Sequence, residues 1–212
     1  MKHFPDLIEG YRRFRSDAWT RQRERWRELR EGQNPQVMVI ACSDSRVDPT
    51  QIFDVDPGEI FVVRNVAAMV PPFETTPGQH GVSAALEFAV QFLGIKDVVV
   101  MGHGMCGGCN AALTAELADM KPGDGGFIAQ WISLLDPVRE QIVAEYGETG
   151  REAGRAMELA AVKLSLANLR TFPCIQEKEA DGTVQLHGTY FAISDGVLHV
   201  LDEAEDRFNP AD

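Results

Sequence analysis

Three residues of the sequence carry side chains that bind soft or borderline metal ions: Cys42, His103 and Cys106. His103 and Cys106 are three residues apart at the start of a predicted helix or in the loop before it, so both side chains can face one point. Two thiolates and an imidazole are a ligand set that Zn²⁺ takes in tetrahedral sites. Because three protein ligands leave a fourth position open for water or substrate, the set is typical of a catalytic rather than a structural zinc site.

The other cysteines leave further interpretations open. Cys106 and Cys109 form a C-x-x-C pair, which is the spacing of thioredoxin-like redox sites and of zinc ribbons. A ribbon needs a second such pair, which the sequence lacks, and a redox site would leave Cys42 and His103 without a role. An isolated cysteine is often a small buried hydrophobic residue. We therefore expect Cys109 and Cys174 to be packing residues.

Asp44 and Arg46 are a second candidate pair, two residues apart in the loop that follows Cys42. A carboxylate and a guanidinium at this spacing can pair bidentately, although an ordinary surface loop could hold the same pair. Beside a metal, Asp44 could either bind the ion or accept a proton from a water on it. Arg46 would decide between these two roles by holding the carboxylate away from the metal.

The elements that must position these residues follow from the hydrophobic pattern. Three short apolar runs have the length and β-branched content of buried parallel strands: residues 37–41, 61–63 and 98–101. Helical patterns lie between and after them: residues 82–93, 107–119, 127–146 and 152–170. Strands that alternate with helices predict an α/β domain with a mostly parallel sheet. Ligands bind beyond the carboxyl ends of such strands, and Cys42 and His103 lie just after the first and third runs.

The chain is predicted to form a single domain with three parts: a helical arm at residues 1–31, a catalytic α/β core at residues 32–203 and a tail at residues 204–212. Aromatic and aliphatic residues spaced among many charges predict amphipathic helices in the arm. Alternating residues from 184 to 201, on either side of Asp195-Gly196, predict a hairpin.

Composition excludes several classes of protein. The 212 residues include 32 acidic and 20 basic residues, for a formal net charge of −12, which disfavours nucleic acid and anionic membranes as partners. The sequence contains no apolar run long enough for a transmembrane helix, and its first 30 residues do not resemble a signal peptide. Four scattered cysteines do not form a disulfide scaffold. These features predict a cytoplasmic protein that binds small molecules.

Four sequence blocks together resemble the beta-class carbonic anhydrases: C-S-D-S-R at residues 42–46, P-G-E-x-F-V-V-R-N at 57–65, M-V-P-P-F at 69–73 and G-H-x-x-C-G-G at 102–108. The resemblance covers roughly residues 30 to 202 and holds in order as well as content. It implies a zinc lyase that interconverts carbon dioxide and bicarbonate through a zinc-bound hydroxide. It also implies about four parallel strands plus an added edge strand, flanking helices, one Zn²⁺ per subunit, and a homodimer or a dimer of dimers.

Family roles transfer onto matching positions. Cys42, His103 and Cys106 match the zinc ligands, and Asp44 with Arg46 matches the catalytic pair. The positions that line the substrate pocket match Gln33, Phe61 and Val66. Phe88 is expected to join this apolar pocket, although plant members carry Tyr at its position.

Two substitutions point to a subgroup. The bacterial members with a regulatory bicarbonate site carry Trp where this chain has Val39 and Tyr where it has Phe191. The resemblance therefore implies the plant-like form, with water on the zinc. One alternative uses the same three ligands and is a hydrolase of carbonyl sulfide or carbon disulfide. The other is a non-enzymatic zinc-binding regulatory module, in which Asp44 would complete a closed four-ligand site.

Overall fold

The structure is a computed structural model that describes residues 2–211. The chain separates into two compact units that divide between Asn34 and Pro35. The N-terminal unit contains the predicted helices: α1 (Phe4–Ser16), α2 (Ala18–Arg21) and α3 (Arg23–Leu29). The backbone N–H of His3 donates to the Asp6 carboxylate at 2.7 Å, which caps the start of α1.

The second unit is built on one six-stranded sheet in the order β2-β1-β3-β4-β5-β6. Its strands are β1 (Val37–Cys42), β2 (Ile60–Asn65), β3 (Asp97–His103), β4 (Gln185–Ala192), β5 (Val197–Asp202) and β6 (Arg207–Pro210). The first four strands are parallel, and β5 and β6 are antiparallel to their neighbours. The predicted fold class is therefore confirmed, and Asp195-Gly196 lies in the turn between β4 and β5.

The sheet has two added strands where one was expected. The second is β6, which lies in the segment predicted as a tail. A tight turn makes it possible: the Asp202 carboxylate accepts hydrogen bonds from the backbone N–H groups of Ala204 and Glu205 at 3.0 and 3.2 Å. Asp206 then adopts a positive φ of 50°, a conformation that Asp tolerates better than most residues.

Helices cover both faces of this sheet. They are α4 (Pro49–Ile52), α5 (Gly81–Glu87), α6 (Gly107–Thr114), α7 (Gly126–Ile132), α8 (Asp136–Tyr146), α9 (Arg151–Leu169) and α10 (Pro173–Ala180). The helix predicted at 82–93 continues beyond α5 as a π-helical segment, Phe88–Leu93. The helix predicted at 107–119 ends at Thr114 because Ala115 takes a left-handed conformation, and the one at 127–146 is interrupted before Pro137.

Alternate residues of β1 belong to two hydrophobic clusters. Val39 and Ala41 pack in the first cluster, whereas Met38 and Ile40 pack in the second. This alternation is that of a strand covered on both faces. Residues 2–211 contain no helix that is long and apolar enough to cross a membrane.

Candidate metal centre

Two neighbouring strands end at two of the predicted metal ligands. β1 ends at Cys42 and β3 at His103, and the parallel register pairs Ala41 with Met101 just before them. Cys106 is the residue that precedes α6, in extended conformation. The topology therefore brings Cys42 close to His103 and Cys106, which lie much later in the sequence.

The three ligand atoms lie within 4.8 Å of one another, and all three residues are buried. The Sγ atoms of Cys42 and Cys106 are 3.9 Å apart. Two Zn–S bonds of about 2.3 Å at a tetrahedral angle would separate the sulfurs by about 3.8 Å. The spacing of the two thiols therefore suits a tetrahedral zinc ion.

His103 presents a free ring nitrogen to the same point. Its Nδ1 lies 3.0 Å from the Gly104 carbonyl oxygen, which can only accept, so Nδ1 carries the hydrogen. Nε2 is buried and has no hydrogen-bond partner within residues 2–211. A buried polar atom without a partner is costly, and a metal ion bound at Nε2 would remove that cost. The residues present fit a zinc ion.

The two thiols are poor acids in this environment. Their mutual hydrogen bond and burial raise the pKa of Cys42 to about 12. A hydrogen bond with Cys109, together with burial, raises the pKa of Cys106 to about 12. Thiolates are the ligand form, so a cation that binds here must displace both protons. Metal affinity at this site is therefore expected to fall as the pH falls.

Asp44 and Arg46 form the predicted pair. Arg46 donates from Nε to Oδ1 at 2.9 Å and from an η nitrogen to Oδ2 at 2.7 Å, and its backbone N–H also donates to Oδ1 at 2.9 Å. The same guanidinium donates to the Met105 carbonyl at 3.0 Å, next to Cys106. Arg46 holds the pKa of Asp44 well below its usual range. Asp44 is therefore a carboxylate at neutral pH, oriented beside the metal ligands.

Comparison with known proteins decides the family. The family model described as carbonic anhydrase matches residues 37–198, which include all three ligands and the Asp44–Arg46 pair. The chain belongs to the carbonic anhydrase family. It is 38% identical over 205 residues to a carbonic anhydrase of Pseudomonas aeruginosa, covering 96% of this chain and 90% of the relative. The prediction of an enzyme, a carbonate dehydratase, is confirmed.

Solved structures place the fold in the beta class of carbonic anhydrases. The beta-carbonic anhydrase CcaA superposes with a TM-score of 0.90 at 30% identity, covering 99% of this chain and 92% of that one. A tetrameric beta-carbonic anhydrase of the ascomycete Sordaria macrospora gives 0.80 at 28% identity, covering 94% and 96%. A Coccomyxa beta-carbonic anhydrase in complex with acetazolamide gives 0.79 at 28% identity, covering 95% and 87%. The beta class predicted from the sequence blocks is confirmed.

A buried carboxyl group that was not predicted from the sequence lies beside the candidate metal ligand Cys106. Glu158 on α9 is 6% exposed; one of its oxygens accepts from the Cys106 backbone N–H at 3.0 Å and the other from the Tyr190 hydroxyl at 2.9 Å. Burial raises the pKa of Glu158, and the hydrogen bonds oppose that shift. A signal existed in the sequence, because the helical spacing puts Glu158 on the same face of α9 as Val162.

Arg64 is a second missed residue, and it braces the loop after β1. Its guanidinium donates to the carbonyls of Cys42 at 2.9 Å, Asp44 at 2.7 Å and Val47 at 3.2 Å. It also pairs with the Asp48 carboxylate at 3.4 Å. The loop that carries the predicted metal ligand Cys42 and the predicted catalytic carboxylate of Asp44 is thereby fixed at three of its carbonyls.

The chain leaves β2 through a strained turn beside this site. Ala67 and Ala68 have φ values of 64° and 54°, a region that costs an L-residue other than Gly about 1–2 kcal/mol. The preceding residue, Val66, packs against the first turn of α6. A Cβ atom on Gly108 would lie only 2.5 Å from Val66 Cγ1, so glycine is required there.

The predicted substrate residues fall in different places. Val66 packs against the cluster that contains Cys42 and Cys106. Phe61 packs against the other cluster, and its ring lies 6.1 Å from that of Phe88. Gln33 belongs to the N-terminal unit. A shared pocket formed by these residues stays a prediction.

Proposed function

We propose that this enzyme catalyses the reversible hydration of carbon dioxide to bicarbonate and a proton, with one Zn²⁺ per chain held by Cys42, His103 and Cys106. The observation that carries the proposal is the unpartnered His103 Nε2 beside two sulfurs at tetrahedral spacing. Membership of the carbonic anhydrase family supports the same reaction.

When bound, zinc would supply a Lewis acid that makes water a stronger nucleophile near neutral pH. The protein supplies the rest. Asp44 is ionised and oriented by Arg46, so its carboxylate can accept a proton from the attacking water and direct the water's lone pair. Arg46 is itself fixed by the Met105 carbonyl, which keeps Asp44 from turning toward the metal.

The substrate pocket is proposed to include Phe61, Val66 and Phe88, because carbon dioxide is apolar and gains from an apolar surface. Gln33 is proposed to donate a hydrogen bond to the oxygen on which negative charge develops. The net charge of −12 repels bicarbonate. We therefore propose that bicarbonate is attracted by the metal and Arg46 within the site, and not by the charge of the protein as a whole.

We further propose the plant-like form of the family, without a regulatory bicarbonate site. Val39 is buried in the first cluster and Phe191 packs against it, so both positions are apolar. The three hydrogen bonds between Arg46 and Asp44 also support a site in which Asp44 stays off the metal.

The assembly is proposed to be a homodimer or a dimer of dimers. The Sordaria macrospora relatives are described as tetrameric. The N-terminal helix α1 presents exposed apolar residues that suit a protein partner: Phe4, Leu7, Ile8, Tyr11 and Phe14. A cytoplasmic location also belongs to the proposal, on the basis of the sparse, unpaired cysteines.

The test is stopped-flow hydration of carbon dioxide across pH, with zinc content measured on the same samples. The wild type should hydrate carbon dioxide faster as the pH rises. Asp44→Asn should lower kcat by about 100-fold or more while zinc stays bound. Asp97→Asn is the matched control, because Asp97 lies at the opposite end of β3, where its carboxylate is 2.8 Å from His187 Nε2; its activity should be near wild type.

Two results would contradict the proposal. A zinc-loaded wild type without hydration activity would contradict the proposed reaction. Parallel assays with carbonyl sulfide and carbon disulfide would then test the hydrolase alternative. If none of the three substrates reacted, the result would favour the non-enzymatic zinc-binding module. Unchanged kcat in Asp44→Asn would remove only the role assigned to Asp44.

A further inference from the structure

One residue closes the turn that follows β2 with its side chain and contacts the loop after β1 with its backbone carbonyl. Asn65 is the last residue of β2, and its carbonyl accepts a hydrogen bond from the Ser43 N–H at 2.8 Å, directly after Cys42. The Asn65 side chain, by contrast, contacts the backbone of Met69, four residues later. Oδ1 accepts from the Met69 backbone N–H at 2.8 Å, and Nδ2 donates to the Met69 carbonyl at 2.9 Å. Both ends of the amide are used.

This pair of hydrogen bonds encloses two residues in a strained backbone conformation. Ala67 and Ala68 both have positive φ, so the turn would relax without a constraint across it. Val66 stands at its start, held on one side by Gly108 of α6 and on the other by the Trp131 indole, which donates to the Val66 carbonyl at 2.8 Å.

We propose that Asn65 is a positioning residue for the hydration reaction. Its side-chain amide fixes the turn that begins at Val66, and Val66 in turn packs against the helix that follows Cys106. The amide meets both requirements, whereas a carboxylate cannot donate to the Met69 carbonyl and an aliphatic side chain makes neither bond. The inference rests on the proposed function, in which Val66 lines the carbon dioxide pocket.

The far end of the turn is held independently. Ser165 accepts from the Val70 N–H at 3.2 Å, and Asn168 donates from Nδ2 to the Val70 carbonyl at 2.8 Å. Asn168 therefore makes the same kind of bond to the adjacent residue, but its side chain does not span residues 66–68. It provides a matched control for the loss of one amide.

The test compares zinc-loaded Asn65→Ala and Asn168→Ala. Asn65→Ala should keep its zinc, lower kcat/KM by about tenfold or more through displacement of the pocket wall, and speed amide hydrogen exchange in residues 66–70. Asn168→Ala should lower Tm but keep kcat/KM within about twofold of wild type. Asn65→Asp, which retains only the acceptor, should resemble Asn65→Ala.

A second variant separates positioning from stability. Asn65→Ala combined with Ala68→Gly should regain Tm, because glycine adopts positive φ without strain, yet kcat/KM should stay low. This variant also provides folded protein if Asn65→Ala alone does not fold. Recovery of kcat/KM along with Tm would overturn the inference, as would equal activity in the Asn65 and Asn168 variants. An inactive wild type would overturn the proposed function as well, which distinguishes the two failures.

Discussion

Two polar clusters at different places in the second unit are built in opposite ways. The metal cluster consists of Cys42, His103 and Cys106; all three are buried, and one ring nitrogen has no hydrogen-bond partner within the described chain. The arginine cluster consists of Arg170 with Glu179 and Glu203, which it contacts at 2.8 to 3.1 Å. Its side chains are 36%, 33% and 45% exposed.

The difference separates binding from stability. In the arginine cluster, hydrogen bonds to Glu203 and Glu179 raise the pKa of Arg170, so the charges stabilise one another in the folded chain. In the metal cluster, the environment raises the pKa of the thiols and leaves Nε2 unpaired. A bound cation stabilises buried groups most when their hydrogen bonds are incomplete. Groups whose hydrogen bonds and charges are already paired have no free atom with which to bind a ligand.

The largest expected effect comes from removing a ligand. Cys106→Ala should lose most of its zinc and hydration activity, a greater loss than the about 10- to 100-fold in metal affinity that outer partners typically cost. Cys109→Ala is the matched control, because both thiols are 3% exposed and lie near one another in the sequence. Zinc content and stopped-flow rates check this. Equal zinc loss in both variants would indicate that Cys109 also binds the metal.

The next effect concerns the packing that supports the metal cluster. Gly108→Ala should lower the free energy of unfolding by about 1–3 kcal/mol, because its Cβ would overlap Val66. Gly107→Ala should leave stability near wild type, since its added Cβ would meet nothing within 4 Å other than its chain neighbours and the backbone of its own helix. Urea unfolding of both variants measures the difference. A neutral Gly108→Ala would show that the turn after β2 adapts easily.

A smaller effect is expected in the arginine cluster. Arg170→Met should reduce the free energy of unfolding by about 1 kcal/mol, since the three groups are partly exposed and screened by solvent. Zinc content and kcat should not change, and the loss should shrink at high salt. Arg207→Met is the control, because its ion pair with Glu205 is mostly exposed. If Arg170→Met lost zinc, the division between binding and stability would fail.

The smallest effect lies in the pH dependence of stability. Burial raises the pKa of Glu158 above its ordinary value of 4.5, so the unfolded chain releases this proton at lower pH than the folded chain. As the pH rises through that interval, Glu158 therefore lowers the stability of the fold. Zinc-loaded Glu158→Gln should lose less stability than wild type as the pH rises above about 4.5.

Glu152→Gln provides the comparison for that measurement, because Glu152 lies on the same helix but is exposed. Its pH dependence should follow that of the wild type. Identical slopes for all three proteins would show that the Glu158 proton is not linked to folding.

Much of the fold and the core of the site follow from local sequence. Apolar runs of strand length predicted β1, β2 and β3, and the placement of Cys42 and His103 at the ends of two of them predicted their approach. This works because strand periodicity is a local property, and because neighbouring parallel strands end at the same edge of a sheet. The close pair Asp44 and Arg46 needed no tertiary information at all.

Only the tertiary structure decided what surrounds that core. Glu158 is 52 residues from Cys106 in sequence, and its contact depends on how α9 packs across the sheet. The strained turn after β2, the π-helical segment and β6 likewise depend on neighbours outside their own sequence windows. The sequence by itself determined which residues could bind zinc. Packing decided that His103 Nε2 stays unpaired and that the two sulfurs stand at the spacing zinc requires, because burial and distance are properties of the whole fold.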